Sequence, residues 1–478
     1  MRDLDARTIR ETTRGIMLME RAGRVIAQVI RERMVPGSRV LVIAGGGNNG
    51  GDGLIAARWL HVWGYEVRVA CLRLEQTYAG DARLALMQLQ QVRSSPSIAY
   101  GVSSEEIATM LRHTDTVIDA IFGTGLTTPV RGSDAQVIAQ INQHPRSYYV
   151  VSADLPSGVC ADTGQVLGVA VRADLTLMLG ACKAGLTQSP GIMLIGEMRM
   201  ASIGMNPTND DVVARAWLPN EIASVDTKRA PDAHKGDHGR LAVFAGSAKY
   251  PGAACLCLRG ALRGGAGLVR FAHEGHAHMP EEVIPMPLGD DEEVELWIAR
   301  ASEGATALLV GPGWSIDDTR WSLLCSLSKS TLPMLIDADA LNIIAERGLP
   351  TRFGPTVLTP HPREAARLLG CDLKEVQHDR ITAARELAVR YDAVVVLKGA
   401  GTVIAGGGEI PDIAAVCEPA LASAGTGDVL SGMIAAKLAM GMQPRRAALV
   451  GVLRHLEAAE HASKNKSPHA VIASDLVS

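Results

Sequence analysis

The chain is 478 residues long, more than one hydrophobic core ordinarily serves, and this length predicts two or three domains. Hydrophobic residues make up 47% and charged residues 21%, the balance of a soluble globular protein rather than of a disordered or membrane-embedded one. The net charge is −4, no basic stretch occurs, and aromatic residues are only 4%, so we expect no nucleic-acid partner.

The cysteines and the polar start of the chain indicate a cytoplasmic protein. None of the eight cysteines forms a CxxC pair, and most lie inside apolar runs, which is typical of reduced core thiols. The opening "MRDLDARTIRETT" lacks the apolar segment of a signal peptide. No apolar run reaches the roughly 18 residues of a membrane helix, so we expect no membrane partner.

The first half of the chain predicts one α/β domain. Apolar residues at helical spacing predict an amphipathic helix at 13–33. Short continuous apolar runs then predict strands at 39–44, 66–72, 115–121, 148–153 and 174–179. Continuous apolarity is typical of strands buried on both faces, so we expect a parallel sheet with helices on both sides.

The second half predicts another α/β domain after a connection. Residues 204–239 are polar, hold three prolines and show no sustained periodicity, which indicates a linker. Strands are then predicted at 240–245, 267–272, 305–311, 332–337, 392–397 and 401–405, and helices at 252–263, 361–370, 375–391, 427–441 and 443–463. The predicted domains are 1–210 and 226–478, and no repeat relates them.

Three predicted strand ends of the first domain carry polar groups. "GGGNNGGDG" (45–53) follows the first strand, Asp119 and "IFGTGL" end the third, and "ADLPSG", with Asp154 and Ser157, ends the fourth. Ligands of parallel sheets bind beyond the carboxyl ends of strands, where glycines and helix N-termini turn amides toward anions. A lone Asn-Gly pair would be a tight turn, but three such ends favour an anion-binding cleft.

These segments together resemble the N-terminal YjeF family, the epimerases of hydrated NADH and NADPH (NADHX and NADPHX), over roughly residues 10–205. Gly46 is a small departure from the family's usual loop. The resemblance implies a Rossmann-like fold, a substrate facing Asp154, and potassium bound by Asn49, Asp119 and Ser157. It places the substrate along two loops, whose residues are Asn48, Asn49, Gly50, Gly51, Asp52, Gly123, Thr124, Gly125, Leu126, Thr127, Thr128 and Pro129.

The residue types agree with that resemblance. Amide and carboxylate oxygens from three strand ends suit a hard cation, and no Cys/His set suits zinc. Asp154 is the carboxylate at the cleft that neither the loop nor the ion claims, so we expect it to act as acid and base at the damaged nicotinamide ring. The route of inversion at C6 stays open.

"SAGTGDVLSG" (423–432) forms the main motif of the second domain. Glycines and Thr426 lead into a helix whose first amides point outward beside Asp428. Such an anion hole next to a carboxylate suits phosphoryl transfer to a hydroxyl, with Asp428 taking the proton. Asp428 as a simple helix cap is the alternative. "AGTGD" is typical of ribokinase-like folds.

Further motifs follow in order: "HKGDHGRLAVFAGS", "YPGAACLCLRGALRGGAGLV", "VGPGW", "DADALN", "LTPHPREAARLLG" and "VLKGAGTVI". Together they resemble the C-terminal YjeF family, the ADP-dependent dehydratases of the S epimer of hydrated NAD(P)H, over roughly 226–475. The resemblance implies a ribokinase-like α/β/α fold and ADP, which we expect to bind with Mg²⁺. It places Ala253, Gly313, His361 and Asp428 at the hydrate, and Lys398, Gly399, Ala400, Gly401, Thr402 and Gly427 at the nucleotide.

The residues support some of these roles by themselves. Lys398 in the glycine turn "KGAGT" is a phosphate partner, and prolines on both sides hold His361 in a stiff loop. As a lone histidine, His361 would more often be a cap or a surface residue. Asp337 and Asp339 are candidates to position magnesium through water, or to cap a helix.

"HEGHAH" (273–278) has the composition of a metal-binding tract. Its spacing fits no single helix face and no cysteine is near, so we favour a solvated loop.

We therefore expect a two-domain repair enzyme. The first domain interconverts R and S epimers, and the second phosphorylates the S hydrate from ADP and eliminates phosphate, leaving AMP and NAD(P)H. The alternatives are a ribokinase-type small-molecule kinase fused to a non-catalytic nucleotide-binding module, and a first domain that is only a scaffold. We also expect a homo-oligomer, with the N-terminal amphipathic helix as a candidate to pack against another subunit, although the sequence does not fix the oligomeric state.

Overall fold

The computed structural model describes residues 2–226, 232, 234–275 and 278–478. These residues form two compact units, 1–213 and 214–478.

The first unit is a parallel sheet between two helical layers. Its helices are α1 (Arg2–Glu11), α2 (Gly15–Arg33), α3 (Asn48–Val62), α4 (Gly80–Gln90), α5 (Ser104–Leu111) and α6 (Gly132–Ile141). Its strands are β1 (Arg39–Ala44), β2 (Glu66–Cys71), β3 (Ser97–Tyr100), β4 (Thr116–Ala120), β5 (Tyr149–Ala153), β6 (Leu175–Leu179) and β7 (Glu197–Ala201). The described strands lie in the order β3-β2-β1-β4-β5-β6-β7, all parallel.

Strand β1 shows why the predicted sheet is buried on both faces. Val40 and Val42 belong to the core packed under α2, α3 and α4, whereas Leu41 and Ile43 belong to the core packed under α5 and α6. The chain leaves β1 toward β2 on one side and reaches β4 on the other. The carboxyl ends of β1 and β4 therefore form the switch point where open sheets bind ligands.

The two edge strands of this sheet, β3 (97–100) and β7 (197–201), were not predicted. Both are exposed or half-buried along much of their length and lack the continuous apolar run of a central strand. Helix α1 was not predicted either, because its surface is polar and Leu4 and Thr8 supply its buried side.

The second unit is a larger, mostly parallel sheet. Its helices are α7 (Ile222–Val225), α8 (Pro251–Arg263), α9 (Val294–Ser302), α10 (Asp318–Ser328), α11 (Asp339–Arg347), α12 (Pro362–Leu369), α13 (Leu373–His378), α14 (Arg380–Tyr391), α15 (Thr426–Ala439) and α16 (Pro444–Asn465). Its strands are β8 (Arg215–Trp217), β9 (Arg240–Phe244), β10 (Leu268–His273), β11 (Ile284–Pro287), β12 (Ala307–Val310), β13 (Met334–Ile336), β14 (Thr356–Leu358), β15 (Val394–Leu397), β16 (Thr402–Ala405) and β17 (Asp412–Ala414).

The described strands of this sheet lie in the order β11-β10-β9-β12-β13-β14-β15-β16-β17-β8. Strand β16 runs antiparallel to both of its neighbours, and the other pairs are parallel. Helices α8, α15 and α16 pack over one face of the sheet. The switch point lies between β9 and β12.

The prediction that 204–239 is a linker is wrong for its middle part. Residues 215–217 form β8 and pair with β17, and Ile222 is buried in the core of the second unit. The single helix predicted at 375–391 is two helices, because Asp379 has a non-helical backbone and its side chain caps α14 by accepting from the Thr382 amide. Residues 227–231 and 233 of the predicted linker lie outside the described residues.

Candidate active sites

A cavity of about 790 Å³ lies at the switch point of the first unit. The structure brings most of the predicted substrate residues to its wall, namely Asn48, Asn49, Asp52, Gly123, Thr124, Gly125, Leu126, Thr127, Thr128 and Asp154. Further lining residues were not predicted: Asp5, Ala6 and Ile9 from α1, together with Gly46, Gly47, Arg73, Ile121 and Phe122. Pro129 is not among the residues that line it.

Two of the predicted loop glycines serve backbone packing. A Cβ on Gly50 would lie 2.0 Å from the carbonyl oxygen of Gly45, and one on Gly51 would lie 2.5 Å from Met19 Sδ. A side chain at Gly50 would clash with the backbone that follows β1, so this glycine lets α3 start directly against β1, whereas Gly51 lets α3 pack closely against Met19 of α2. They position the cavity wall rather than line it.

Asp154 sits at the end of β5 in an uncommon backbone conformation. Its φ is +69°, in the left-handed region that a non-glycine residue seldom adopts. Its Oδ1 accepts from the Leu179 amide at 3.0 Å and from the ammonium of Lys183, which also donates to the Leu179 carbonyl at 2.7 Å. Lys183 is 3% exposed and was missed, because one lysine in "GACKAG" carries no spacing signal.

Three carboxyl groups meet at this end of the cavity. Asp5, Asp52 and Asp154 line it together. Burial, and then the charges of Asp154 and Asp5, raise the pKa of Asp52 well above its ordinary value. Burial and the charge of Asp154 likewise raise the pKa of Asp5. The site therefore combines carboxyl groups of different proton affinity, as acid–base catalysis requires.

The three predicted potassium ligands lie beneath the first loop. Asp119 is fully buried and accepts from Ser157 Oγ at 2.5 Å, the Ser157 amide at 2.9 Å and Ser152 Oγ at 2.7 Å. Burial raises the pKa of Asp119. Asn49 donates to the Phe122 carbonyl at 3.0 Å, while its buried Oδ1 has no hydrogen-bond partner within the described residues. An unpartnered oxygen beside a buried carboxylate fits a monovalent cation.

The second site is built around the start of α15. Gly425 precedes the helix with φ +85°, and Asp428 lies in its first turn. Burial, and then the charge of Asp337, raise the pKa of Asp428 to about 7. A carboxylate of that pKa at a helix N-terminus is suited to general-base catalysis near neutral pH.

Lys398 reaches the same helix start. Its Nζ donates to Asp337 Oδ1 at 2.8 Å, and a Cβ on Gly427 would lie 3.4 Å from it. The other oxygen of Asp337 accepts from Ser431 Oγ at 2.5 Å. Asp337 is thus held by one protein donor on each oxygen, and its role in positioning magnesium through water stays a prediction. Asp339 accepts from the Ser315 amide at 2.9 Å.

His361 caps helix α12, which is the alternative interpretation that we gave for a lone histidine at this position. Its Nδ1 accepts from the amides of Arg363 and Glu364 at 3.0 and 3.3 Å. Its Nε2 lies 3.5 Å from Glu364 Oε1, and burial lowers the pKa of the imidazole. Burial raises the pKa of Glu364 to about 7, and the charges of Lys398 and Asp337 also act on this carboxyl group. Glu364 therefore belongs to the same electrostatic cluster, although it was not predicted from the sequence.

Ala253 and Gly313 meet at the switch point between β9 and β12. A Cβ on Gly313 would lie 2.9 Å from Ala253 Cβ and 2.8 Å from the Tyr250 carbonyl oxygen, and Gly313 has φ +68°. A side chain at position 313 would therefore clash with Ala253 and with the Tyr250 carbonyl oxygen.

A second cavity, of about 290 Å³, opens beside Lys398. The predicted nucleotide residues Lys398, Gly399, Ala400, Thr402 and Gly427 line it, whereas Gly401 does not. Its remaining wall is mostly apolar and was not predicted, with Val416, Leu421, Leu430, Val452, His455 and Leu456 among its residues. Phosphate-binding groups at one end and apolar walls at the other suit a nucleotide.

The histidine tract 273–278 lies partly outside the described residues, since 276 and 277 are not described. His273 ends β10 rather than lying in a loop, and its Nδ1 lies 3.0 Å from the Gly275 carbonyl oxygen. Across the described part of the chain, no cluster of three or more His, Cys, Asp or Glu side chains is suited to hold a metal ion. None of the described helices is both long and apolar enough to cross a membrane.

Two family models match the chain in succession. One, described as YjeF-related protein N-terminus, matches residues 15–185, and the other, described as NAD(P)H-hydrate dehydratase, matches residues 241–478.

Solved structures match the ribokinase-like half. A ribokinase-like superfamily protein of Enterococcus faecalis, 22% identical, covers 57% of this chain and 95% of its own with a TM-score of 0.50, which shows the fold. An ADP/ATP-dependent NAD(P)H-hydrate dehydratase of Bacillus subtilis, co-crystallised with ATP and Mg²⁺, is 30% identical, covers 55% of this chain and 95% of its own, and has a TM-score of 0.49.

Full-length relatives match both halves at once. The bifunctional NAD(P)H-hydrate repair enzyme of Moorella thermoacetica is 36% identical over 97% of this chain and 91% of its own length. The enzyme of the same description from Escherichia coli is 34% identical over 96% of this chain and 88% of its own. This chain therefore belongs to the family of bifunctional NAD(P)H-hydrate repair enzymes.

Proposed function

We propose that this enzyme repairs hydrated NADH and NADPH in two steps, one in each unit. The first unit interconverts the R and S epimers at C6 of the hydrate. The second removes water from the S epimer at the expense of ADP. One observation supports this proposal above the others. Each unit has a glycine-rich helix start with a carboxylate beside it, at the switch point of its own sheet.

In the first unit, the polar loops at 45–53 and 123–128 bind the ribose and phosphates through backbone amides, because a glycine-rich helix start presents several N–H groups to one anion. Asp154 lines the same cavity and acts on the C6 hydroxyl. Asn49, Asp119 and Ser157 hold K⁺, which when bound supplies positive charge beneath the loop.

In the second unit, Asp428 draws the proton from the C6 hydroxyl of the S hydrate. The hydroxyl oxygen then bonds to the β-phosphorus of ADP, and the bond from that phosphorus to AMP breaks. Elimination follows: the C6–O bond breaks with loss of phosphate, a proton leaves C5, and the C5–C6 double bond of NAD(P)H forms. The amides at the start of α15 and the Lys398 ammonium neutralise the charge on the transferred group.

ADP occupies the cavity beside Lys398, with its base against the apolar wall and its phosphates toward Gly427. Magnesium would accompany the nucleotide through phosphate oxygens and water, with Asp337 and Asp339 as the candidates to hold that water. The hydrate lies over Ala253 and Gly313, within reach of His361.

The proposed setting is the cytoplasm, and the described cysteines are all free. The predicted role of the first amphipathic helix in oligomer formation loses its basis, since Ile26 and Ile30 of α2 are fully buried within the first unit. A homo-oligomer stays a proposal, to be tested by sedimentation velocity.

The test is ADP-dependent recovery of the NADH absorbance band from purified hydrated NADH. We expect complete conversion of an epimer mixture, with one AMP and one phosphate per NADH formed. A stable phosphorylated product, or phosphorylation of a sugar in place of the hydrate, would instead identify a small-molecule kinase. Conversion of the S epimer alone would leave the first unit as a scaffold.

A further inference from the structure

The carboxylate of Asp154 is held from one side. Within the described residues, both donors, the Lys183 ammonium and the Leu179 amide, reach the same oxygen, Oδ1. The Lys183 ammonium also donates to the Leu179 carbonyl oxygen at 2.7 Å, and this bond holds the ammonium in place. Oδ2 is left for a substrate, because Asp154 lines the cavity.

Lys183 is an unusual residue for this unit. It is the only lysine among residues 1–213 of the sequence, where every other side chain with a permanent positive charge belongs to an arginine. Its side chain is 1% exposed. Burying an ammonium is costly unless it is paired, so its place beside Asp154 requires a carboxylate that stays ionised.

The charged groups around this pair are mostly acidic. Asp5 from α1 and Asp52 from α3 face Asp154 across the cavity, and Asp81 from α4 lines the adjoining recess. The guanidinium of Arg73 also lines the cavity, but both of its NH groups are held by Asp134, at 2.9 and 2.7 Å. Among the described residues, Lys183 is thus the cation in direct contact with Asp154.

The recess shows where the reacting ring lies. It has a volume of about 110 Å³ and shares Asp5, Asn48, Asp52 and Asp154 with the main cavity. Its other walls are largely apolar, with Leu18, Met19, Ala22, Leu179 and Ile203. A small, mostly apolar ring with one hydroxyl fits an apolar recess whose mouth carries carboxyl groups.

We propose that Lys183 is the positioning residue of the epimerase step, keeping Asp154 ionised with Oδ2 toward the ring while Asp52 carries the proton that the ring nitrogen receives. This inference rests on the function proposed above and assigns the acid and the base within it. The raised pKa of Asp52 agrees with the assignment, because its acid form is then present at neutral pH.

The step balances without a further reactant. Asp154 takes the proton of the C6 hydroxyl, the C6–O bond becomes a carbonyl, and the C6–N1 bond breaks with its electron pair going to N1. Asp52 protonates N1. After rotation of the open aldehyde, N1 attacks the other face of the carbonyl, and the two protons return to oxygen and to Asp52.

The test follows conversion of the pure R epimer to the S epimer by the full chain, without ADP, so that the dehydratase step is silent. We expect Lys183→Met to move the acidic limb of the kcat/KM profile upward by about 1–3 pH units, the usual effect of losing an adjacent opposite charge. We expect Asp52→Asn to abolish the basic limb and lower kcat at least tenfold. Asp5→Asn should move the basic limb downward, because Asp52 then loses a neighbouring negative charge.

Lys183→Arg separates charge from shape. It keeps the positive charge, so the acidic limb should stay within half a pH unit of the wild type, while kcat falls because the guanidinium fork displaces the carboxylate. Arg39→Met, which removes an exposed ion-paired cation at the opposite end of β1, is the matched control and should leave the profile unchanged. Unchanged limbs in a folded Lys183→Met or in Asp52→Asn would overturn the inference. A wild-type chain without epimerase activity would instead overturn the proposed function.

Discussion

At the scale of single residues, the two sites use burial of a carboxyl group in opposite ways. In the first site a lysine offsets the burial of Asp154, and a neighbouring carboxyl group, Asp52, has the raised pKa. In the second site Lys398 bonds to Asp337, and burial, followed by the charge of Asp337, raises the pKa of Asp428 itself. In both sites burial is the largest cause of the raised pKa, and the charge of the lysine-bonded carboxylate is the next.

Replacing Asp428 by Asn tests the base of the dehydratase step. The amide keeps the size of the carboxylate and the helix start that binds the nucleotide, so ADP affinity should persist. The single-turnover rate with ADP and the S hydrate should fall by roughly two to four orders of magnitude, the usual loss for a positioned base. A near-normal single-turnover rate would exclude Asp428 as the base. Asp318→Asn, at a solvent-exposed helix start, is the control.

The dehydratase step should also lose activity in mild acid. Burial raises the pKa of Asp428 to about 7, and only its ionised form can take a proton. Below that value the base is increasingly protonated, so log kcat/KM should fall with a slope of about one per pH unit as the pH is lowered from 7. A profile that is flat between pH 5 and 7 would contradict the raised pKa. The measurement uses the pure S epimer, so that the epimerase does not contribute.

At the scale of elements, the glycine-rich helix starts were the best predicted features, and isolated charged residues the worst. Two backbones that approach closely need glycine, as at Gly50 beside the Gly45 carbonyl, so the spacing of glycines in the sequence predicts such an approach. No local pattern predicts the position of Lys183, because only the pairing of β5 with β6 brings its segment to Asp154. Helix α1 was equally hidden, since it contributes only a few buried side chains and its importance lies in Asp5.

Short edge strands were missed for a related reason. Strands β8 and β11 are largely exposed, so they lack the apolar runs that identified central strands such as β1 and β12. Their pairing depends on partners far along the chain, which local sequence patterns do not show. The mostly apolar wall of the nucleotide cavity was missed similarly, because it is assembled from three separate stretches of the chain, at 414–422, 430 and 452–456.

The loop starting α3 should be stabilised by potassium. If Asn49 Oδ1 and Asp119 bind the ion, its presence at a hundred times its Kd adds about 2.7 kcal/mol to the free energy of unfolding of this unit. We expect KCl to raise the Tm of the first transition by roughly 5–10 °C over choline chloride of equal ionic strength. Asn49→Leu should abolish the difference. An equal response in choline would mean that no specific ion binds.

At the scale of the whole molecule, the two units are described by separate cores, which predicts separable activities. A fragment of residues 214–478 with ADP should consume only the S half of a racemic hydrate. The R half should follow when a fragment of residues 1–213 is added. Complete consumption by the first fragment alone, faster than spontaneous epimerisation, would refute the division of labour. Chiral chromatography of the remaining hydrate makes the measurement.

The start of the second fragment matters. A fragment that begins at residue 226 loses β8, including the bond from Trp217 Nε1 to Asp412 Oδ1 at 2.8 Å. We expect it to be less stable than the fragment of residues 214–478 by about 2–5 kcal/mol, the usual cost of removing one buried aliphatic side chain, because it loses the buried Ile222 as well as the half-buried Trp217. Urea denaturation of both fragments checks this, and equal midpoints would mean that β8 does not contribute.

Strand β8 also has a consequence for the order in which the protein can assemble during synthesis. It is the first strand of its unit to leave the ribosome, yet its partner β17 comes far later, since Asp412 follows Trp217 at a sequence separation of 195. At typical translation rates this interval lasts roughly 10–40 s. The epimerase half can fold in that time, whereas β8 must wait, unpaired, until nearly the entire dehydratase half has been made. A nascent chain stalled before residue 412 should therefore contain a folded first unit and a second unit open at that strand.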